Sequence, residues 1–458
     1  MTEYKTNNQG TLLISGLASF LIAFMSTSIN IALPIIGKDF VLNAVTMGWV
    51  VATYLVAAAI FLVPSGKLAD IYGRKLIFRN GVILFIFASS MLAISASELV
   101  FIIFRIFQGI GGAMILATSV AILTSVYPPG ERGRVLGINS ATVYLGQCLG
   151  PVLGGILTQH FGWRSIFYFS IVWGIFILFL IKWKLKGEWI ESKGEKYDLT
   201  GSLMYGISLL SVSSGFLQLP SLIGTILIFT GIIGLFLFSC YERRKSAPLM
   251  EVSLFLKNRV FTFSSISALI NYSAVYGVGF LLSLYLQYIK QLSPGQAGLV
   301  LIVQPVIQAI ISPITGKLSD RFEPGIVASV GMFLTGLALM GMIFLGNSTT
   351  LGFIICCQVL LGLGLAFFAS PNTNAIMSSV DKRFYGLASG IMATMRFNGQ
   401  MLSMSVSMII LSIYVGKTQI ITNKLPQFLL SIRANFSVMA ILCVVGIFTS
   451  MIRGKVRK

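Results

Sequence analysis

The 458-residue sequence predicts an all-α polytopic membrane protein with fourteen spanning helices and both termini in the cytoplasm. Three observations predict it. The chain is 56% hydrophobic and only 10% charged, against about 25% charged in soluble domains. Apolar runs of about twenty residues recur from end to end, each long enough to cross a hydrocarbon core of roughly 30 Å. The basic residues fall to alternate sides of those runs. Of the 33 Lys and Arg, 25 lie in segments assigned to the cytoplasm and six (Lys38, Arg164, Lys290, Lys417, Lys424, Arg433) in outer loops, while Arg105 and Arg396 fall inside runs. Cytoplasmic loops retain cations, so the net charge of +19 is topological. It gives no reason to expect a nucleic-acid partner; the bilayer is the partner.

The runs cover 11–33, 46–65, 77–96, 99–126, 135–157, 165–182, 199–218, 221–240, 260–288, 297–315, 326–345, 351–370, 387–414 and 435–452. The first follows a polar start, Met1 to Gly10, and is too long for a signal-peptide core, so it reads as a spanning helix. The second gives way to Gly66-Lys67-Leu68-Ala69-Asp70-Ile71-Tyr72-Gly73-Arg74-Lys75. Gly66, Asp70, Gly73, Arg74 and Lys75 suit a tight polar turn in which carboxylate and cations bond across the turn or to helix ends. The seventh and eighth runs are set off by the polar stretches Lys182–Leu199 and Tyr241–Arg259. A weak repeat links Pro313-Ile314-Thr315-Gly316-Lys317-Leu318-Ser319-Asp320-Arg321 to the segment from Pro64 to Asp70, 250 residues earlier. The expected organisation is a six-helix half over 1–182, a linker with two helices over 183–259, and a second six-helix half over 260–458.

The segment Gly66–Lys75 resembles the signature loop of the major facilitator superfamily, with Ile71 where an Arg is usual. Phe104-Arg105-Ile106-Phe107-Gln108-Gly109 in the fourth run resembles the family's Arg-x-x-Gln-Gly motif. Gly146, Gly150, Pro151, Gly154 and Gly155 in the fifth resemble its antiporter motif. Small residues on adjacent turns let another helix approach, and the Gly-Pro step places a kink. Twelve plus two helices, in this arrangement, resembles the fourteen-helix drug:proton antiporter branch. The resemblance implies a major facilitator fold in a prokaryotic plasma membrane. It implies export of amphipathic or lipophilic compounds by alternating access, a proton gradient as energy source, no cofactor, and a working monomer. Asp70 would cap a neighbouring helix end, and Arg74 would hold the cytoplasmic gate shut in the outward-open form, with Asp320 and Arg321 as the second half's counterpart.

Proton-coupled export calls for an acid within the membrane, its pKa raised by desolvation. None of the 14 Asp and Glu lies in the middle of a run. In relatives the first helix commonly carries an Asp five residues before the matching Asn30; here that place is Met25. Two cations remain inside instead. Burying an Arg at the bilayer centre costs about 2.5–3.5 kcal/mol on insertion scales, so Arg105 and Arg396 should face protein or a watery cavity. Arg105 is expected to bond carbonyls or polar groups such as Asn30, and Arg396 to snorkel in part. Candidates for a substrate cavity are Met25, Asn30, Tyr54, Gln147, Asn271, Gln304, Gln308, Gln358 and Asn398, with Trp49, Tyr144, Tyr272, Tyr276 and Tyr285 as apolar walls. The five cysteines and one histidine have no metal-ligand spacing, and no phosphate loop or nucleophile–base pair supports an enzyme. Two arginines and no carboxylate leave open an exporter of neutral or anionic substrates with atypical or no proton coupling. A non-transporting sensor of the same fold is the alternative of another class.

Overall fold

The computed structural model describes residues 8–128, 131–219, 221–245, 249, 258–380, 385–416, 418, 420 and 422–454. Among them, fourteen long helices and no strand are found. They are α1 Asn8–Asp39, α2 Ala44–Tyr72, α3 Arg74–Ala93, α4 Glu98–Val126, α5 Arg132–Phe161, α6 Ser165–Lys184, α7 Leu199–Leu217 and α8 Leu222–Glu242. After the linker come α9 Arg259–Leu284 (continued by a π turn, Tyr285–Ile289), α10 Pro294–Ser319 with a break at Ile302, α11 Pro324–Ile343, α12 Leu351–Ser378, α13 Tyr385–Tyr414 and α14 Leu425–Ile452. Thirteen are long and apolar enough to cross a membrane, and the serine-rich, 19-residue α7 is the exception.

Helix starts follow local chemistry. Backbone N–H groups in a first turn lack helical partners, and short polar side chains supply them. The Asn43 side chain accepts from the Thr46 N–H at 2.8 Å, and Asp198 and Ser221 do the same for α7 and α8. Asn258 and Thr350 cap α9 and α12, and Ser293 with Gln296 forms a reciprocal capping box at α10.

The helices overrun the expected ends. The helices of the first, second and twelfth runs carry a proline inside and extend beyond the runs: α1 continues past Pro34 to Asp39, α2 past Pro64 to Tyr72 and α12 past Pro371 to Ser378. In a membrane bundle, neighbouring helices satisfy the carbonyls that proline frees. The expected polar turn at Gly66–Lys75 is therefore helix as far as Tyr72 and helix again from Arg74. One residue, Gly73 at φ +120°, makes the break, a conformation that side chains rarely adopt. Likewise α14 begins at Leu425, not near 435, so Arg433 is helical and donates from Nε to the Leu345 carbonyl at 2.9 Å.

Packing divides the bundle into two halves related by a shift of eight helices. The pairs α1–α5, α2–α4, α3–α4, α3–α6 and α1–α6 recur as α9–α13, α10–α12, α11–α12, α11–α14 and α9–α14. Between the halves, α2 packs on α13, α5 on α10 and α1 on α9, a set that the same shift preserves. The α7–α8 hairpin stands outside this scheme. α7 touches both α2 and α13: the Tyr205 hydroxyl donates to the Ala59 carbonyl, and the Ser213 hydroxyl to the Met401 sulfur. α8 is the least buried of the spanning helices.

Candidate functional site

The halves are joined through their outer and middle thirds. At the outer ends the Ala44 N–H donates to the Thr418 carbonyl at 3.1 Å, and the Gly295 N–H to Gln159 Oε1 at 3.1 Å. Deeper, Ser283 Oγ donates to the Asn30 carbonyl at 2.6 Å, Gln287 Nε2 to the Ile31 carbonyl at 3.0 Å, and Ser26 Oγ lies 3.1 Å from Tyr276 Oη. Below these contacts, between the halves, lies a cavity of about 220 Å³.

Amide and phenol side chains share the cavity wall with aliphatic ones such as Val143, Leu301 and Leu361. Asn30, Gln147, Gln304, Gln308, Gln358 and Gln400 line it with Ser26, Thr27, Ser140, Tyr144, Tyr272, Tyr276, Pro151 and Arg396. Gln304 Nε2 donates to Gln308 Oε1 at 2.9 Å, one helical turn apart as their spacing requires. Tyr144 of one half sits against Gln308 and Ser312 of the other. The lining holds no carboxylate, and Arg396 is its one formal charge. Arg396 is half-buried, its Nε has no hydrogen-bond partner among the described residues, and its guanidinium lies 5.5 Å from the Phe397 ring.

Four expected lining residues lie elsewhere, as do two of the expected walls, Trp49 and Tyr285, the latter fully buried and donating to the Gly346 carbonyl. Met25 is buried in the apolar core, 1% exposed. Tyr54 faces α4, covering Arg105. Asn271 is fully buried with neither side-chain atom partnered. Asn398 stands beside Tyr205 of α7. Each occupies a helix with several buried faces, and composition does not say which face meets the cavity. Gln400, in contrast, escaped notice although it lies one helical turn from Arg396 and so shares its face.

Arg105 is 1% exposed and bonds within its own half. Its Nε donates to the Val50 carbonyl at 2.9 Å and its Nη1 to Gln108 Oε1 at 2.5 Å, while Gln108 Nε2 reaches Ser89 Oγ at 2.9 Å. The guanidinium lies 4.7 Å from the centre of the Tyr54 ring. The expected carbonyl contact is present. Asn30 is not its partner.

The glycine motif of α5 has two faces. A Cβ on Gly146 would lie 2.6 Å from the Phe20 carbonyl and one on Gly154 2.5 Å from Ser28 Cβ, and Gly150 abuts Thr27; all three press α5 onto α1. On the other face a Cβ on Gly155 would meet the Pro294 carbonyl at 2.6 Å, and Gly298 lies against the Pro151 carbonyl. The motif thus packs one half internally and seals the outer seam against the other.

At the cytoplasmic end Asp70 caps no neighbouring helix. Its Oδ1 accepts from Arg74 Nε at 2.9 Å and Nη2 at 2.8 Å, a contact one turn apart that straddles the Gly73 break. Arg74 also pairs with Glu191 at 2.5 Å and donates to the Ala121 carbonyl at 3.0 Å and to Ser125. The segment after α6 wraps over this cluster. The Glu191 and Ser192 N–H groups bond the Asp70 carbonyl, and Lys67 reaches Glu195 at 2.7 Å, holding that carboxyl below the usual range. Among the described residues these contacts join the first half to the start of the linker, with none to the second half. In the second half, Asp320 accepts from Asn374 Nδ2 at 3.1 Å, while Arg321 is exposed beyond the end of α10.

Comparison with known proteins agrees with this architecture. The family model of the Major Facilitator Superfamily matches residues 16–404 and, again, 264–457. The chain is 32% identical to riboflavin transporter RibZ of Clostridioides difficile over 84% of each protein. It is 30% identical to multidrug resistance protein Stp of Mycobacterium tuberculosis over 89% of this chain and 76% of that protein. It is 28% identical to the tetracenomycin C resistance and export protein of Streptomyces glaucescens, with the same shares covered. Among solved structures, an inward-facing, unoccupied bacterial homologue of the lysosomal transporter Spinster superposes with a TM-score of 0.72 at 16% identity, over 98% of this chain and 97% of that one. The chain is therefore a multi-pass plasma-membrane transporter, not an enzyme, and belongs to the major facilitator superfamily, in the fourteen-helix branch that includes drug-resistance exporters.

Proposed function

We propose that the protein exports flat, amphipathic small molecules by alternating access, with proton antiport as its energy source. The observation that carries this reading is the cavity wall: six amide side chains and three tyrosines around one arginine, with no carboxylate among them. Tyrosine rings supply flat apolar contact, and amides offer both donors and acceptors to a molecule rimmed with carbonyl and hydroxyl groups. Relatives named for riboflavin, multidrug resistance and tetracenomycin C support substrates of that general kind. The lone Arg396 favours neutral or anionic members over dications, because a dication would enter a positively charged site with no counter-charge. With no acid in the lining, proton exchange falls to carboxylates nearer the membrane faces, of which Asp39, Asp70 and Asp320 are the candidates. Asp39 accepts from Trp163 Nε1 at 2.9 Å and Arg164 at 3.0 Å on the outer face, and so lies on the side where protons enter.

The test is accumulation in a pump-deficient bacterial host exposed to matched neutral, anionic and dicationic aromatic compounds. Expression is expected to lower accumulation of neutral or anionic compounds and to leave dications unchanged. Selective export of dications would contradict the charge assignment, and unchanged accumulation across the whole panel would contradict the export of amphipathic compounds.

A further inference from the structure

A second concave site lies outside the transport path, at the cytoplasmic membrane face between α3 and α6. Lys75 and Arg79 of α3, Lys182 at the end of α6 and Lys186 just beyond it line an open pocket of about 450 Å³. The four-residue spacing places Lys75 and Arg79 on one side of α3, and Lys186 follows the end of α6 at Lys184. Glu188 is the one acid in the wall, and its Oε1 already accepts from the backbone N–H of Lys75 at 2.7 Å and of Trp189 at 3.3 Å. Retention of cations in cytoplasmic loops explains their number. It does not explain why four side chains from two segments gather round one pocket.

Deeper in the membrane the same two helices turn apolar and bare. One and two turns beyond Arg79, Ile83 and Phe87 are 47% and 49% exposed, and on α6 Phe179, nearly one turn before Lys182, is 59% exposed. Cations at the water edge above exposed apolar stripes complement one kind of molecule, with an anionic head and a hydrocarbon tail. We propose that this groove binds an anionic phospholipid of the inner leaflet. The four cations hold its phosphate, and an acyl chain lies along Ile83, Phe87 and Phe179. The site has a route to the transport cycle. Glu188 and Trp189 also receive the Lys75 and Arg74 N–H groups, so a bound lipid braces the first turn of α3 beside the Asp70–Arg74 gate.

Native mass spectrometry of the full-length protein in detergent, titrated with phosphatidylglycerol, with phosphatidylcholine of the same chains, or with inorganic phosphate, tests the proposal. Phosphatidylglycerol is expected to be retained at least about tenfold better than phosphatidylcholine, and inorganic phosphate at equal concentration should not displace it. The triple variant Arg79→Gln/Lys182→Gln/Lys186→Gln should lose about tenfold or more of that retention. The charge-matched variant Lys193→Gln/Lys196→Gln/Arg244→Gln, outside the pocket, should keep it. If the triple variant does not yield folded protein, Arg79→Gln alone should lower retention by about fivefold. Equal losses in the pocket and control variants would overturn the proposal in favour of bulk charge. Displacement by inorganic phosphate would overturn it in favour of a free-anion site, and equal retention of the two lipids would leave no headgroup recognition.

Discussion

Arg396 and Arg105 carry the same charge into the bilayer and meet opposite fates. Arg105 is consumed by structure, with the Val50 carbonyl, Gln108 and the Tyr54 ring accounting for its charge. Arg396 faces the cavity with an unpartnered Nε, which is the condition for binding something else. Arg396→Ala is accordingly expected to raise KM for an anionic substrate by about tenfold or more, the worth of a charge-assisted hydrogen bond, with a much smaller effect on a neutral one. Equal effects on both would remove Arg396 from substrate recognition. Arg105→Lys keeps the charge but cannot reproduce the planar fork. It should lower thermal stability by about 1–3 kcal/mol and reduce flux without altering substrate preference, as thermal unfolding and initial-rate measurements would show. Both arginines stood out in the sequence because charge inside an apolar run is expensive. Their separate roles did not, since those depend on which neighbouring helix presents a carbonyl.

At the scale of elements, the α2–α3 junction and the glycine face of α5 sit at opposite ends of the first half, one cytoplasmic and one outer. Both motifs could be read in the sequence, and their chemistry matched small residues and a compact charge cluster. What they grip could not be read. The segment 186–192, which bonds Asp70, Arg74 and Lys75, follows α6, more than a hundred residues along the chain. Helices α1, α2 and α12 outrun their apolar runs past Pro34, Pro64 and Pro371, because a bundle relieves a broken hydrogen bond that a solitary helix could not. Asp70→Asn removes the charge of the Arg74 pairing, and should slow interconversion between inward-open and outward-open forms while leaving substrate affinity near wild type. Loss of affinity with normal interconversion would make Asp70 a site residue. Gly155→Leu places a side chain where the Pro294 carbonyl now sits. It should hold the outer seam open, seen as increased labelling of a cysteine introduced at Gln159 by a membrane-impermeant reagent; unchanged labelling would detach this glycine from closure.

For the molecule as a whole, the eight-helix shift that maps one half onto the other also maps the contacts between them, α2–α13 onto α10–α5. Two bodies joined by such self-similar contacts can rock about a central site, which is the geometry alternating access requires. The hairpin of α7 and α8 breaks that symmetry by gripping both α2 and α13 on one side. Fold and topology were legible from apolar periodicity and the distribution of Lys and Arg. The cavity was legible only in part, because a helix buried on several faces gives no sign of which face meets the void. The central claim is coupled export, and the direct measurement is substrate flux in proteoliposomes with internal pH recorded simultaneously. An imposed proton gradient should drive an amphipathic neutral or anionic compound against its own gradient, with protons moving in the opposite direction. Substrate movement that ignores a collapsed proton gradient would contradict the coupling, and no movement of any amphipathic compound would contradict the transport reading itself.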